Sequence, residues 1–417
     1  MIKASRGTQD FYGEECEHVV HLESLSRTCF QKFNFKEIRT PIFEDSQLFS
    51  KGVGEENEVV KKEMYRFKDK GNRDLTLRPE GTAAVIRSFI ENQRYHQIQR
   101  LFYMGPFFRY ERPQAGRFRQ FHQIGAELIG EKSAYADFTI INLAYTLFRE
   151  FGLKDLYFSI NTIGDFSCRN EIIKLIHNFF NPMFDSLSIQ CQETLKKNPL
   201  RLLDSKDATI QSMLKNFPDI KTVLNQESLN HFKLLCHLLD NTGIPYKVDP
   251  LLVRGLDYYT HTTFEIRSNK LGSQSALCGG GRYNNLIETL GGKQTPSVGF
   301  AFGVERLLLL TQNLKKRQKT LKIVLIGLGD KAKLKAINLL EELRILPHTF
   351  YSIFEHNKLD KCLKQANKEN ADYCIILGEN ELKTNIIILK NLTTGKQEKL
   401  NMKNLKLEME EKLQILK

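Results

Sequence analysis

The chain has 417 residues, of which 41% are hydrophobic and 26% are charged. These proportions are close to those of globular proteins, so they exclude a disordered or collagen-like chain, and the length suits two to three domains. The net charge is +12, which allows a polyanionic partner but does not establish one.

The first part of the chain predicts an α+β fold with an antiparallel sheet, because its strands come in hairpins between irregularly placed helices. Apolar residues at helical spacing predict helices over 14–33, 83–92 and 134–151. Extended segments predict strands over 35–40, 75–77, 101–112 and 117–130. The last two strands should form a hairpin around a short polar loop.

The middle of the chain changes character twice. Residues 168–240 show helical periodicity without Gly-bearing strands, so they predict a helical insertion. After it, strands are predicted over 251–268, 274–281 and 298–303, and helices over 282–290 and 304–313.

A charged linker at 315–319 precedes a third region in which strands and helices alternate. Strands are predicted over 323–326, 349–354, 373–377 and 386–389, and helices over 331–343, 358–370 and 403–415. This order predicts a small α/β domain with a largely parallel sheet. From residue 315 onward the chain has 21 Lys and Arg against 13 Asp and Glu, so this domain carries most of the positive excess.

The eight cysteines are scattered and form no CxxC pair, which argues against a zinc site and predicts free thiols. The first residues, MIKASRGTQD, contain no apolar core of a signal peptide. No apolar run approaches the length of a membrane span. These features predict a cytoplasmic protein that does not enter a membrane.

The second strand of the hairpin carries a polar face. Alternation along 121–128 places Phe121, Gln123, Gly125 and Glu127 on one side and mostly apolar residues on the other. This pattern fits a lined pocket as well as it fits a solvated sheet face.

Arginines cluster around the same hairpin, at positions 109, 112, 117 and 119, with Glu111 among them. The chain has neither GxxxxGK[ST] nor a GxGxxG between a strand and a helix. Phosphate binding would therefore depend on guanidinium forks. Salt bridges on a solvated strand explain the cluster equally well.

Four smaller features each allow a binding role and a structural one. Glu80 and Thr82 could hold an ammonium group, or Thr82 could cap the following helix. Residues 254–259, RGLDYY, could line a site or end a strand, and the glycines 279–281 could form a turn or admit a ligand. Arg306 could face a site or the solvent.

Taken in order, these segments resemble the bacterial-type histidyl-tRNA synthetases, a family of class II aminoacyl-tRNA synthetases. Residues 35–45, 101–127 and 299–310 resemble class II motifs 1, 2 and 3. Residues 254–265 and 276–284 resemble the two histidine signatures of the family, and 6–11 and 198–206 resemble further family segments. The resemblance covers nearly the whole chain.

The resemblance implies an α+β class II catalytic domain built on an antiparallel six-stranded sheet, with a helical insertion and a C-terminal α/β anticodon-binding domain. The expected boundaries are 1–165 and 246–314 for the catalytic domain, 166–245 for the insertion and 320–417 for the last domain. It also implies a homodimer, with motif 1 at the interface.

The implied reaction has two steps, in which L-histidine and ATP give histidyl-adenylate and pyrophosphate, and the histidyl group then passes to histidine tRNA with release of AMP. Mg²⁺ should arrive with ATP, and no metal, zinc included, is expected to reside in the protein. Arg109 and Arg254 should act on the α-phosphate as catalytic residues. The residues expected around ATP are Arg109, Glu111, Arg117, Phe121 and Arg306.

For histidine, the resemblance implies that Glu80, Thr82 and Gln123 bind the α-amino group. Glu127 and Tyr259 should read the two imidazole nitrogens, and Arg254 should also hold the carboxylate. Tyr258 and Tyr283 complete the expected histidine pocket.

Two other functions remain to be weighed. A non-catalytic relative of this family acts as a regulatory subunit of ATP-phosphoribosyltransferase, but it lacks the C-terminal domain and loses active-site residues. A general nucleic-acid-binding protein would explain only the basic C-terminal region. Histidine-dependent exchange between ATP and pyrophosphate separates both from a synthetase, because neither should catalyse it.

Overall fold

The chain divides into two units, residues 1–314 and 315–417, which are described separately here. The structure is a computed structural model that describes residues 2–55, 57–112, 114, 116–268, 276–311 and 320–415. The predicted linker at 315–319 lies outside these ranges, as do positions 274–275 of one predicted strand and 312–313 of one predicted helix.

The first unit combines helices with an antiparallel sheet. Its helices are α1 (Glu14–Lys32), α2 (Ser46–Val53), α3 (Thr82–Glu91), α4 (Ala134–Glu150), α5 (Arg169–Phe180), α6 (Ile189–Lys197), α7 (Ala208–Leu214), α8 (Gln226–Thr242), α9 (Leu286–Thr289) and α10 (Val304–Thr311). Its strands are β1 (Lys36–Glu37), β2 (Phe43–Asp45), β3 (Arg66–Lys68), β4 (Asp74–Leu77), β5 (Gln99–Phe108), β6 (Gln120–Ile129), β7 (Leu156–Thr162), β8 (Tyr246–Val248), β9 (Thr260–Ser268), β10 (Ala276–Arg282) and β11 (Ser297–Gly303).

The main sheet has the strand order β1-β5-β6-β11-β10-β9-β7-β8. The six strands from β5 to β7 are antiparallel throughout, and the short strands β1 and β8 pair in parallel at its two edges. The expected antiparallel six-stranded sheet is therefore confirmed. The strands β2, β4 and β3 form a separate small sheet.

The two faces of the main sheet have different roles. Helices α1, α4 and α8 cover one face, where an apolar core includes Phe30, Ile140 and Leu235. Helices α3 and α9 cover part of the other face, together with aromatic residues that include Tyr103 and Tyr283. The polar residues of the candidate site lie on this second face.

The residues between β7 and α8 are helical, as the sequence predicts. Besides α5, α6 and α7 they form short 3₁₀ segments, one of which is Pro199–Asp204. Ile172, Leu195 and Leu214 belong to an apolar core of their own. The boundaries 166–245 of this insertion stay a prediction.

The second unit has strands β12 (Lys322–Gly327), β13 (Thr349–Ser352), β14 (Tyr373–Leu377), β15 (Ile386–Asn391) and β16 (Gln397–Asn401), and helices α11 (Asp330–Leu343), α12 (Leu359–Lys368), α13 (Glu379–Thr384) and α14 (Leu405–Ile415). Strand β12 pairs in parallel with β13 and β14, whereas β14, β15 and β16 are antiparallel. The expectation of a largely parallel sheet is wrong, because the sequence analysis missed β16 and its hairpin with β15. Separate apolar cores on the two faces give an α/β layered domain.

Several predicted boundaries also need correction. Residues 251–259 are not a strand but a loop, because they are held by side chains from outside the sheet rather than by a ladder. The hairpin strands end at Phe108 and begin again at Gln120, so the connection is longer than predicted. The helix predicted over 282–290 is the short α9, because Arg282 completes β10. The strand predicted over 35–40 is only the two-residue β1.

Within the described ranges, no helix combines the length and the apolar character needed to cross a bilayer.

Candidate functional site

Strand β6 presents its polar residues to the second face of the sheet. Ile124, Ala126 and Leu128 lie in the apolar core on the opposite face, as the alternation predicts. Glu127 is 1% exposed, and its two carboxylate oxygens accept hydrogen bonds from the Thr82 hydroxyl, at 2.7 Å, and from the Tyr283 hydroxyl. The polar face of β6 is therefore a buried pocket wall rather than a solvated surface.

Burial dominates the electrostatics of this wall. Burial, with a smaller contribution from nearby Glu80, raises the pKa of Glu127 to about 8 against the opposing effect of the two hydroxyl donors. Glu127 therefore keeps a proton near neutral pH in this structure. A cationic or hydrogen-bonding ligand beside it would relieve the cost of ionising it.

The turn before α3 brings Glu80 into the same pocket. The two oxygens of this buried carboxylate accept hydrogen bonds from the backbone N–H groups of Thr82 and Ala83, both at 2.7 Å. The sequence-based alternative that Thr82 caps the helix is wrong, because Gly81 occupies the cap position and Glu80 binds the free amides. Burial raises the pKa of Glu80, although these amide hydrogen bonds oppose the shift.

Gln123 lies on the same face of strand β6 as Glu127. Its side-chain carbonyl oxygen is buried and has no hydrogen-bond partner among the described residues. A buried acceptor without a donor is costly, so this atom is suited to an incoming N–H group.

Three tyrosines close the pocket. The ring of Tyr258 lies 4.8 Å from that of Tyr259 and 5.6 Å from that of Tyr283. Burial raises the pKa of Tyr259 to about 12, so its hydroxyl keeps its proton and can donate a hydrogen bond. Tyr259 also lies within electrostatic reach of both Arg254 and Glu127.

Arg254 lies over the glycine-rich strand β10. Its guanidinium donates to the carboxylate of Glu265 on the neighbouring strand β9. A Cβ atom at Gly279 would collide with this guanidinium, so only glycine leaves room for it at this position. The glycine run 279–281 is therefore part of an extended strand whose lack of side chains admits Arg254 and Tyr259.

A second set of residues surrounds the hairpin connection. The Nε of Arg109 donates to the carbonyl of Pro79, at 2.8 Å, which places Arg109 beside Glu80. Glu111 accepts a hydrogen bond from Arg117 at 3.2 Å, and its carboxylate lies 3.9 Å from the guanidinium of Arg109. The strand predicted over 101–112 does not include Arg109 and Glu111, because β5 ends at Phe108.

The other two arginines of the predicted cluster have different surroundings. The guanidinium of Arg119 stacks on the ring of Tyr110 at 3.7 Å, and its backbone N–H binds the carbonyl of Gly7. Arg112 is exposed. Only Arg109 and Arg117 of the four are therefore grouped with the carboxylates of the pocket.

Phe121 and Arg306 lie at the same end of the sheet. The guanidinium carbon of Arg109 is 5.6 Å from the centre of the Phe121 ring. Arg306 is partly buried, and burial together with the neighbouring Arg117 lowers its pKa. Arg306 also interacts electrostatically with Glu265, which connects this group to Arg254.

Hydrogen bonds and electrostatic interactions thus link most of the predicted site residues into one network. One end holds cationic groups, which suit a phosphate or carboxylate. The other end holds buried carboxylates, an unpaired amide oxygen and phenols, which suit a ligand with several N–H groups. The arrangement can hold an anion and a nitrogen-rich group side by side.

A cavity of about 860 Å³ opens onto this face from the side of the insertion. Its lining includes Arg254 and Tyr259 of this site together with Lys197 and Arg201 of the insertion. The cavity is large enough for a ligand beyond a single amino acid.

Sequence reasoning missed the residues that hold the site in place. Glu305 accepts hydrogen bonds from the backbone and ring of His122, at 2.7 and 2.9 Å, and so ties α10 to β6. Glu265 was missed as the partner of Arg254, and Asp257 as the acceptor for residues of the insertion. All three lie inside family-like segments, but no pattern of spacing identifies their partners.

The comparisons with known proteins agree over nearly the whole chain. Residues 7–175 and 181–307 match the family described as histidyl-tRNA synthetase, and residues 322–412 match an anticodon-binding domain. A histidine–tRNA ligase of Thermosipho melanesiensis is 45% identical over 95% of this chain and 96% of its own length. The chloroplastic histidine–tRNA ligase of Pyropia yezoensis is 43% identical over 97% of this chain and 95% of its own length.

A solved structure gives the same result for the fold. The apo histidyl-tRNA synthetase of S. aureus superposes with a TM-score of 0.83, at 37% identity, and covers 98% of this chain and 99% of its own. These matches extend over both units of the structure.

Proposed function

We propose that this chain, which belongs to the histidyl-tRNA synthetase family, acts in the pocket on the second face of the main sheet. The chain is a class II ligase that joins L-histidine to histidine tRNA with the use of ATP. The observation that carries this assignment is the pairing of Arg254 with Glu265 above Gly279, with Tyr259 within electrostatic reach of both Arg254 and the buried Glu127. It supplies a fixed cation next to a nitrogen-binding site.

In the first step, the histidine carboxylate attacks the α-phosphate of ATP, and negative charge builds up on the phosphate oxygens. Fixed cations aimed at that charge lower the barrier because they need no reorganisation during the reaction. We assign this role to Arg109 and Arg254. Arg254 also binds the carboxylate of histidine and holds it beside the phosphate.

The rest of ATP occupies the end of the sheet near the hairpin connection. Arg117 binds the outer phosphates, and Phe121 and Arg306 lie on the two sides of the adenine. Glu111 orients Arg117 through their 3.2 Å hydrogen bond. Mg²⁺ enters as part of the ATP complex, and the prediction that the protein holds no zinc is tested by metal analysis of the purified chain.

Histidine is recognised at the other end of the pocket. The α-amino group of histidine donates hydrogen bonds to Glu80, Thr82 and the unpaired carbonyl oxygen of Gln123. Glu127 and Tyr259 contact the two imidazole nitrogens, while Tyr258 and Tyr283 enclose the ring. An apolar amino acid would leave these buried groups unpaired, which costs about 10⁴–10⁵ in selectivity at sites of this kind.

In the second step, histidine passes from the adenylate to the terminal adenosine of the tRNA. The basic second unit, residues 315–417, matches an anticodon-binding domain, which supports its contact with the anticodon arm. The electrostatic part of this contact should weaken with salt.

We also propose that the chain is a homodimer. Phe43 and Phe67 lie in the small sheet, and Ile42 directly precedes Phe43. All three side chains are exposed, and Ile42 and Phe43 belong to the segment that resembles motif 1. Exposed apolar groups in one region are typical of an interface. Light scattering should give twice the mass of the chain, and a monomer mass would contradict the proposal.

We propose a cytoplasmic location, because the bacterial relatives that match this chain are histidine–tRNA ligases, and fractionation distinguishes it from a plastid location. The regulatory-subunit alternative is less supported, because the chain retains a C-terminal domain together with Arg109, Arg254 and Arg306.

The proposed function is tested by charging. With Mg²⁺, ATP and L-histidine, the chain should attach histidine to a histidine tRNA transcript but not to an alanine tRNA transcript. A chain that binds both transcripts without charging either would be a nucleic-acid-binding protein or a regulatory relative, and the proposal would fail.

The raised pKa of Glu127 gives a prediction about stability and pH. The folded chain holds a proton up to about pH 8 that the unfolded chain releases above an ordinary pKa of 4.5. This contribution to stability is complete below about pH 4.5 and is lost as the pH rises through about 8. Glu127→Gln has no such proton, so it should gain stability relative to the wild type as the pH rises, by roughly 1.4 kcal/mol for each pKa unit.

Denaturant unfolding at several pH values measures this difference between the two proteins. Glu193→Gln is the matched control, because the Glu193 side chain is 65% exposed and its exposed ion pair should contribute little to the free energy of unfolding. A constant difference for Glu127→Gln would show that Glu127 is ionised in the folded chain.

A further inference from the structure

The loop 249–259 joins β8 to β9 and carries Arg254, Tyr258 and Tyr259 into the site. Its own hydrogen bonds are few and lie at its start, where the backbone N–H groups of Leu251 and Leu252 bind Asp249. The part that carries the functional side chains is therefore positioned by contacts from elsewhere.

The apolar residues before Arg254 pack in the insertion, whereas Leu256, Tyr258 and Tyr259 pack against the second face of the sheet. Val253 is 8% exposed and belongs to the same apolar cluster as Ile172 and Leu202 of the insertion. Leu251 packs against this cluster too. The residue that precedes Arg254 thus lies in the core of the insertion.

Polar groups of the insertion hold the next residues of the loop. The Asn198 amide donates to the carboxylate of Asp257 at 3.0 Å. Arg201 donates to the carbonyl of Gly255, also at 3.0 Å, and its Nε lies 3.8 Å from the Asp257 carboxylate. Arg169 donates to the backbone carbonyl of Asp257 at 3.0 Å.

From the catalytic side, the amide of Asn57 binds the same Gly255 carbonyl at 2.6 Å. Gly54 also packs closely there, since a Cβ atom on it would lie 3.1 Å from the Asp257 carboxylate. The loop is thus held at Gly255, which follows Arg254, and at Asp257, which precedes Tyr258.

We propose that Asn198 and Arg201 are positioning residues for amino acid activation, which fix the loop 249–259 so that Arg254 meets the reacting carboxylate and phosphate. The inference rests on the proposed function and assigns part of the activation site to the insertion. The proposed mechanism gives neither residue a substrate to bind. They act through Gly255 and Asp257, and a displacement of about 1 Å at a catalytic group costs about 10²-fold in rate.

The test is histidine-dependent ATP–pyrophosphate exchange by the full-length chain without tRNA, so that tRNA contacts do not contribute. Arg201→Ala and Asn198→Ala should each lower kcat by about 10- to 100-fold, with a smaller change in the KM for ATP. Arg201→Lys, which keeps a donor, should recover part of the loss. Lys197→Ala is the matched control, because Lys197 lines the same cavity and pairs with Glu193 rather than with the loop.

Active-site titration of adenylate formation counts the folded sites, so kcat per site remains measurable even if a variant is partly unfolded. A double-mutant cycle between Asn198→Ala and Asp257→Ala should give a combined loss much smaller than the product of the single losses. Variants with the kcat per site of Lys197→Ala, or independent effects in the cycle, would overturn the inference. A wild-type chain without any exchange would instead overturn the proposed function itself.

Discussion

Arg254→Ala should slow histidine-dependent ATP–pyrophosphate exchange by about 10³-fold while leaving tRNA binding almost unchanged. A guanidinium that stabilises the charge of a transferring phosphoryl group is worth about 10³–10⁵ in rate, and one fixed hydrogen-bond donor about 10²–10³. Arg254 is held by Glu265 and by the shape of the sheet at Gly279, so no other side chain can easily replace it. Steady-state exchange and filter binding of tRNA measure the two effects.

Arg267→Ala is the matched control for this variant. Arg267 also donates to Glu265, at 3.0 Å, but it has no place in the proposed mechanism. Arg267→Ala should change the exchange rate by less than about fivefold, because a partly exposed ion pair contributes little free energy. Near-normal exchange by Arg254→Ala would contradict the role assigned to that residue.

Gly279→Ala disturbs the same guanidinium without removing it. The new methyl group would meet the end of the flexible Arg254 side chain, so the arginine should move away while the strand stays folded. Exchange should fall by about 10- to 100-fold at a nearly unchanged melting temperature. Unchanged exchange by Gly279→Ala would show that the position of Arg254 does not depend on the space that this glycine leaves.

Asp137→Asn should destabilise the first unit by about 3–5 kcal/mol, because it leaves a fully buried guanidinium without its counter-charge. The side chains of Asp137 and Arg282 are both 0% exposed, and Arg282 donates to the two carboxylate oxygens. Burial alone would raise the pKa of Asp137, but Arg282 and His231 hold it well below its usual range. Denaturant unfolding of the first unit, followed by tyrosine fluorescence, measures the loss.

The exposed pair between Lys132 and Glu227 provides the control, because both side chains are more than half exposed. Glu227→Gln should leave the unfolding midpoint unchanged. If Asp137→Asn behaved in the same way, the buried pair would not stabilise the fold as its geometry indicates.

Much of the fold follows from local patterns. The alternation along β6 correctly separates the pocket residues from the core, because a two-residue period fixes which side chains share a face. The helices of the insertion and the alternating elements of the second unit follow from periodicity in the same way. The assignment of functions to single residues came only from the resemblance, and those roles stay proposals.

The errors have a common physical cause. Residues 251–259 look like part of a strand, but their partners Asn198 and Arg201 lie some fifty residues earlier in the chain. Gly81 rather than Thr82 holds the cap position of α3, and the first amides of the helix bind the Glu80 carboxylate, because only the fold decides which acceptor reaches them. Contacts between distant segments leave no periodic trace in a single sequence.

The most direct test of the whole account is ATP–pyrophosphate exchange measured with each of the twenty amino acids in turn. The pocket around Glu127 and Tyr259 predicts rapid exchange with L-histidine and rates lower by about 10⁴-fold or more with the other nineteen. No exchange with histidine, or comparable exchange with another amino acid, would contradict the assignment of this pocket to histidine activation.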